Sequence, residues 1–236
     1  MKRSWICLGV ILLSSCSQNI QSDHLEAARL NVQLGDVYLA QHQLDLAKIK
    51  YLKAVELAPQ WPETHVALGR YYEAEHQVQA AQAEYQRALT LDAHDPAVLD
   101  AYGVFLCKTK QFSAGEAYLQ KALSQTQITR MGDVYDHLGD CAQAAGEPLQ
   151  AIQEWRKALG QNPQFPEPYL KLAQIYYVQK HYEQSLIVWN QYNQLATPSI
   201  ASLNLGIQLA KVRGDENQVA ALTLQLNGMK STDEKQ

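Results

Sequence analysis

Three aspartates, Asp133, Asp136 and Asp140, stand at i, i+3 and i+7, a spacing that puts all three carboxylates on one face of a helix. Such a face attracts a basic or amphipathic segment of another protein. It also reads as a plain solvated helix surface, with Asp133 favoured by the positive end of its helix. Catalysis asks for more. The seven histidines are scattered at 24, 42, 65, 76, 94, 137 and 181, with no H-E-x-x-H pair to hold zinc. There is no phosphate-binding loop, no dinucleotide fingerprint and no G-x-S-x-G elbow. The residues point to a binding protein rather than an enzyme, with no metal, cofactor or small-molecule substrate implied.

The elements that position these side chains declare themselves by a period. Gly35, Gly69 and Gly103 are 34 residues apart, and so are Gly139 and Ala173. Small residues at positions 8, 20 and 27 of a 34-residue register, with larger ones at 7, 11 and 24, form the tetratricopeptide pattern of two helices per repeat. Residues 28–61 fit it with Leu34, Gly35, Tyr38, Ala47, Tyr51, Ala54 and Pro59, and residues 62–95 with Leu68, Gly69, Tyr72, Ala81, Tyr85 and Ala88. Residues 96–129 follow with Tyr102, Gly103, Leu106, Leu119 and Ala122, but Gly115 stands where alanine is expected and two extra residues come after. The pattern returns over 132–165, with Leu138, Gly139, Ala142, Ala151, Trp155, Ala158 and Pro163, and over 166–199, with Leu172, Ala173, Tyr176, Ser185 and Trp189. It weakens over 199–226, which reads as a terminal cap.

No single hairpin of this kind buries its apolar face, so neighbours must stack. Prolines 59, 62, 96, 163, 166 and 168 lie between repeats, where they stop one helix or start the next. The expected fold is all-α, a tetratricopeptide-repeat superhelix (an α-solenoid) of about six helical hairpins over residues 24–227. Residues 228–236 read as a polar, disordered tail.

In such a stack the first helix of each hairpin lines a concave face, into which positions 2, 5, 9, 12 and 13 point. Asp36, Asp100, Asp133, Asp136 and Asp140 fall there, with Glu63 and Glu73 nearby and Arg70 and Lys108 answering part of the charge. Val66 and Val104 would supply an apolar floor and Tyr177 an aromatic edge, giving an acidic protein-binding groove. Tyr72, Tyr102 and Tyr176, at positions 7 and 11, read as core. Tetratricopeptide clamps for a terminal carboxylate use Lys and Asn at positions 5 and 9 of the first repeat. Val32 and Asp36 stand there instead, so that ligand is not expected.

Lys2 and Arg3 precede an apolar stretch, Trp5 to Leu13, too short to cross a bilayer, so residues 1–15 read as a secretory signal peptide. Leu13-Ser14-Ser15-Cys16 resembles the cleavage box of bacterial lipoproteins. That resemblance implies lipidation of Cys16, a lipidated tether over 16–23 and, because Ser17 follows the cysteine, residence at the outer membrane facing the periplasm. Loss of Lys2 and Arg3 leaves 18 basic against 24 acidic side chains, a net −6, which is no footprint for nucleic acid. Cys107 and Cys141 then remain in an oxidising compartment, as a disulfide or as two buried thiols. They fall on adjacent first helices, where a bridge is sterically reasonable and would be worth on the order of 3–4 kcal/mol in the chain-entropy model.

One phrase is more specific than the repeats. Ala101-Tyr102-Gly103-Val104-Phe105-Leu106-Cys107, followed by Gly139-Asp140-Cys141, resembles the PilF/PilW lipoproteins of type IV pilus biogenesis over about Leu25 to Leu226. Ala101 and His137 stand where that family has asparagines, and Asp140 where it more often has an apolar residue. The resemblance implies a pilotin, an outer-membrane lipoprotein that binds type IV pilus secretin subunits and promotes their localisation and multimerisation. A general periplasmic adaptor for envelope enzymes or outer-membrane protein assembly is the other reading.

Overall fold

Each helix pair in the chain is closed by the same turn. The amide after the turn donates back across six residues, from Gln43 to the Tyr38 carbonyl (2.9 Å), Gln77 to Tyr72 (2.8 Å) and Gln111 to Leu106 (2.8 Å). Glu147 to Ala142 (2.9 Å), His181 to Tyr176 (2.8 Å) and Asp215 to Ala210 (3.0 Å) repeat it. This closure requires one left-handed residue, found at His42, His76, Lys110, Gly146, Lys180 and Gly214, with φ between 57° and 82°. Only two of the six are glycine.

The structure is a computed structural model that describes the backbone of residues 8–233 and the side chains of residues 22–230. Its contacts divide the chain into two units, Met1–Ile128 and Thr129–Gln236. The first holds three antiparallel hairpins: α1 (Leu8–Ala40) with α2 (Leu44–Leu57), α3 (Pro62–Ala74) with α4 (Val78–Leu91), and α5 (Pro96–Lys108) with α6 (Phe112–Leu123). The second holds three more: α7 (Met131–Ala145) with α8 (Pro148–Gln161), α9 (Pro166–Val178) with α10 (Tyr182–Leu195), and α11 (Ile200–Arg213) with α12 (Glu216–Asp233). No strand occurs among the described residues. The all-α tetratricopeptide architecture expected from the period is therefore present.

Helix starts follow the residues that favour them. Pro62, Pro96 and Pro166 occupy the first turn of α3, α5 and α9, where a missing N–H leaves no bond unmade. Asp95 caps α5 by accepting from the Ala97 amide at 2.8 Å, and Ser199 and Ser202 form a reciprocal capping box on α11.

Small residues set the crossing of each pair. A Cβ on Gly35 would collide with the Tyr51 ring, and one on Gly139 with Trp155. Stacking then buries what a lone hairpin cannot. Ala28, Val32 and Tyr51 of the first hairpin pack with Leu68 and Tyr71 of the second, and Val66 and Tyr85 of the second pack with Val98, Tyr102 and Phe105 of the third. In the other unit Ala142 and Trp155 pack with Leu172 and Ile175, and Trp189 with Leu205 and Leu209.

Both ends differ from expectation. α1 is continuous from Leu8, so the backbone of the expected tether, 16–23, is helical; residues 10–34 contain no proline or glycine to stop it. The side chain of Cys16 and residues 1–7 of the expected signal peptide lie outside the described residues. At the other end α12 runs to Asp233, past the expected limit at 227. No proline follows Glu216, and Gly228 lowers helix stability by only about 1 kcal/mol. No described helix is long and apolar enough to cross a membrane.

Candidate protein-binding site

In the first unit, the exposed side of the first helices is crossed by ion pairs. Arg70 of α3 donates to Asp36 of α1 at 3.2 Å and to Glu63 on its own helix at 3.1 Å. Lys108 of α5 reaches back to Glu73 of α3 at 2.9 Å. Second-helix aromatics complete the network: the Tyr51 hydroxyl donates to Asp36 at 2.7 Å, and that of Tyr85 donates to Glu73. Burial drives both phenols well above their ordinary range, with the neighbouring carboxylates adding to it. Burial also raises the Glu63 carboxyl, against the pull of Arg70.

The second unit repeats the device around a lysine. Lys171 of α9 donates to Asp136 Oδ1 at 2.8 Å and Oδ2 at 2.7 Å, and to Asp140 at 2.8 Å. Trp155 of α8 donates its indole N–H to Asp140 at 3.2 Å, and Asp133 pairs with Arg130. Burial raises the Asp136 carboxyl above the usual range, only partly opposed by Lys171.

These contacts correct the expected acidic groove. Asp136 is buried and serves as an anchor for Lys171, while Asp140 remains exposed. Val66, expected as groove floor, is 1% exposed and lies in the core with Tyr85 and Val98. Both sit at position 5, which Val32 also shows to be buried here. Asp100 and Val104 are half-buried on α5, and Asp100 is engaged in an interaction of its own. Tyr177 is half-buried and packs its ring 5.4 Å from Tyr182. Tyr102 and Tyr176 are core, as expected. Lys171 was not singled out from the sequence, although its 35-residue distance from Asp136 matches that of Lys108 from Glu73.

Cys107 and Cys141 are both buried. Gly115 owes its place to the first of them. A Cβ there would collide with Cys107 Sγ and lie 2.8 Å from the Gly103 carbonyl oxygen, so the alanine usual at this position does not fit.

Between α7, its turn into α8, and α9 lies an open groove of about 620 Å³. Trp155, Ile175 and Val178 line it together with Gln143, Gln174 and the Asp140–Lys171 pair. Among the described residues no cluster of three or more histidines, cysteines or carboxylates could hold a metal.

Comparison with known proteins fixes the family. Residues 28–60 and 62–95 match the tetratricopeptide repeat family. Over 201 residues the chain is 31% identical to the type IV pilus assembly protein PilF of Pseudomonas aeruginosa, covering 85% of this chain and 80% of that protein. This chain belongs to the PilF/PilW family of type IV pilus biogenesis proteins. A solved structure from the functional characterisation of Pseudomonas aeruginosa PilF superposes with a TM-score of 0.71 at 30% identity, covering 88% of this chain and 93% of that one. PilW, described as a widely conserved type IV pilus biogenesis factor, shares the fold with a TM-score of 0.72 at 20% identity, covering 85% and 92%. In this PilF/PilW member the repeats are a protein-interaction scaffold.

Proposed function

We propose that this protein is an outer-membrane lipoprotein, anchored through Cys16 and facing the periplasm, that binds type IV pilus secretin subunits and promotes their localisation and multimerisation. The observation that carries the reading is the 31% identity to the pilus assembly protein PilF across 85% of the chain. The Lys2-Arg3 start, the short apolar stretch and Leu13-Ser14-Ser15-Cys16 support the anchor. A disulfide joining Cys107 to Cys141 is part of the same reading, since a periplasmic protein folds where such bonds persist.

Deletion of the gene tests it. Loss of heat-resistant secretin multimers from unboiled outer-membrane fractions, with secretin monomer still present, is the expected result. Intact multimers with missing or unstable pili would move the role to the fibre, and a normal pilus would overturn the reading in favour of a general envelope adaptor. Mass spectrometry of the mature protein tests the anchor, which predicts an acylated N-terminal cysteine at position 16. A mature chain beginning elsewhere would remove it.

A further inference from the structure

The groove between α7 and α9 differs from the corresponding surface of the first unit. There, positions 9, 12 and 13 of the first helices carry Arg70, Glu73 and Lys108, whose side chains lie across the surface in ion pairs. Here the equivalent positions carry Asp140, Gln143 and Val178, with Gln174 where the first unit has Val104, and the turn beside them contains Gly146, a residue with no side chain to fill the space. The result is an open apolar trough with uncharged amide sides. Of its apolar lining, Trp155 and Ile175 are 3% and 7% exposed, whereas Val178 is 78% exposed.

The chemistry of the charged end selects an occupant. Lys171 holds its ammonium against both carboxylate oxygens of Asp136 and both of Asp140, at 2.7–2.8 Å. It therefore has no proton to spare for an anionic ligand. Two carboxylates against one ammonium leave a net charge of −1, and Asp140 is the exposed member of the set. A cation arriving beside Asp140 completes the balance. The amides of Gln143 and Gln174 offer a donor and an acceptor each, the pair of functions that a peptide backbone presents.

We propose that this groove docks a polypeptide segment of a partner protein in which an apolar side chain, seated on Trp155 and Val178, stands next to a basic side chain paired with Asp140. The inference rests on the reading of this protein as one that works by binding another polypeptide. It names the site and the class of segment recognised there.

Fluorescence anisotropy on the purified full chain, with a short fluorescein-labelled peptide alternating lysine and leucine, tests the proposal. Saturable binding is expected, weakened about tenfold by Val178→Ser and about tenfold by Asp140→Asn, which also flattens the dependence on salt. Ile187→Ser, at an exposed apolar residue of α10 outside the groove, should leave affinity unchanged. Peptides alternating glutamate with leucine, or lysine with serine, should not bind. Failure of the lysine–leucine peptide to bind, unchanged affinity in either groove variant, or equal binding of the glutamate–leucine peptide overturns the proposal.

Returning the Val178→Ser/Asp140→Asn double variant to the deletion strain separates the two readings. If wild type restores secretin multimers and the folded double variant does not, the groove proposal stands. If both restore them, the groove proposal fails and the proposed function survives. If deletion leaves the multimers intact, the secretin reading fails and the peptide titration alone decides the groove.

Discussion

Lys171 reaches back from α9 to α7 and clasps both carboxylate oxygens of Asp136, at 2.8 and 2.7 Å. The carboxylate is buried, so the pair is a fixed joint between two hairpins rather than a surface decoration. Removing the ammonium alone strands a buried charge. Lys171→Met is expected to destabilise the protein by about 3 kcal/mol, the scale for breaking one side of a buried pair, and adding Asp136→Asn should recover most of the loss. Urea unfolding of the two variants checks this; a single variant as stable as wild type would refute it.

His65 supplies a pH dependence. Its Nδ1 lies 2.8 Å from Glu84 Oε2 and its Nε2 3.1 Å from the Pro59 carbonyl oxygen. Both partners are acceptors, so the imidazolium satisfies them together and the neutral ring does not. The hydrogen bond to Glu84 raises the His65 pKa, outweighing the opposing effect of burial. A raised folded-state value means that the contribution is complete below the unfolded value of about 6.5 and is lost as pH rises through the folded one. The melting temperature should therefore fall with pH in that window in wild type, and fall less in Glu84→Gln.

Gly115 and Cys107 share one small volume. Gly115→Ala should cost about 1–3 kcal/mol, as overpacking does. In reduced protein, Cys107→Ala should relieve part of that cost, because the sulfur it removes is what the new methyl group meets. Denaturant melts of the double-mutant cycle in reductant would show the coupling, and additive losses would show that the two residues do not compete for space.

Thiol titration tests the proposed bridge. The non-reduced mature protein, unfolded in the presence of an alkylating agent, should take up no label at Cys107 or Cys141, and after reduction it should take up one at each. Label at both without reductant would remove the bridge.

The left-handed turn residues offer stabilising changes. Lys180 has φ 62° with a β-carbon that this conformation disfavours. Lys180→Gly should raise stability by about 1 kcal/mol, and His42→Gly similarly, in thermal melts. A decrease would mean that the lysine or histidine side chain makes contacts worth more than the relieved strain.

Most of the fold could be read from the chain because packing at the helix crossing is severe. Gly35 against Tyr51 and Gly139 against Trp155 leave no room for another residue, so the 34-residue period is imposed by collision and stays visible in the sequence. The site was less legible. Position 5 was expected to face a groove, yet Val32, Val66 and Asp136 are buried there, because each packs into its own stack regardless of polarity. The partner of Asp136 is hidden from the sequence because Lys171 lies 35 residues away, one out of register with the 34-residue period, and its long side chain makes up the difference. The helix ends were misjudged for another reason: polar composition around 17–23 and 228–233 does not stop a helix when no proline interrupts it.

The six-residue closure of every turn makes the hairpin a ruler of fixed length. From Gly35 to Tyr51, Gly69 to Tyr85, Gly103 to Leu119, Gly139 to Trp155 and Ala173 to Trp189 the interval is 16 residues each time. From each of those large residues to the next small one it is 18, 18, 20, 18 and 17. The spacing between repeats thus varies only outside the crossing-to-crossing interval, in the stretch that leads from one hairpin into the next. The chain is built of rigid words with elastic spaces between them, and a lineage that lengthens or trims it can edit the spaces without misspelling a word.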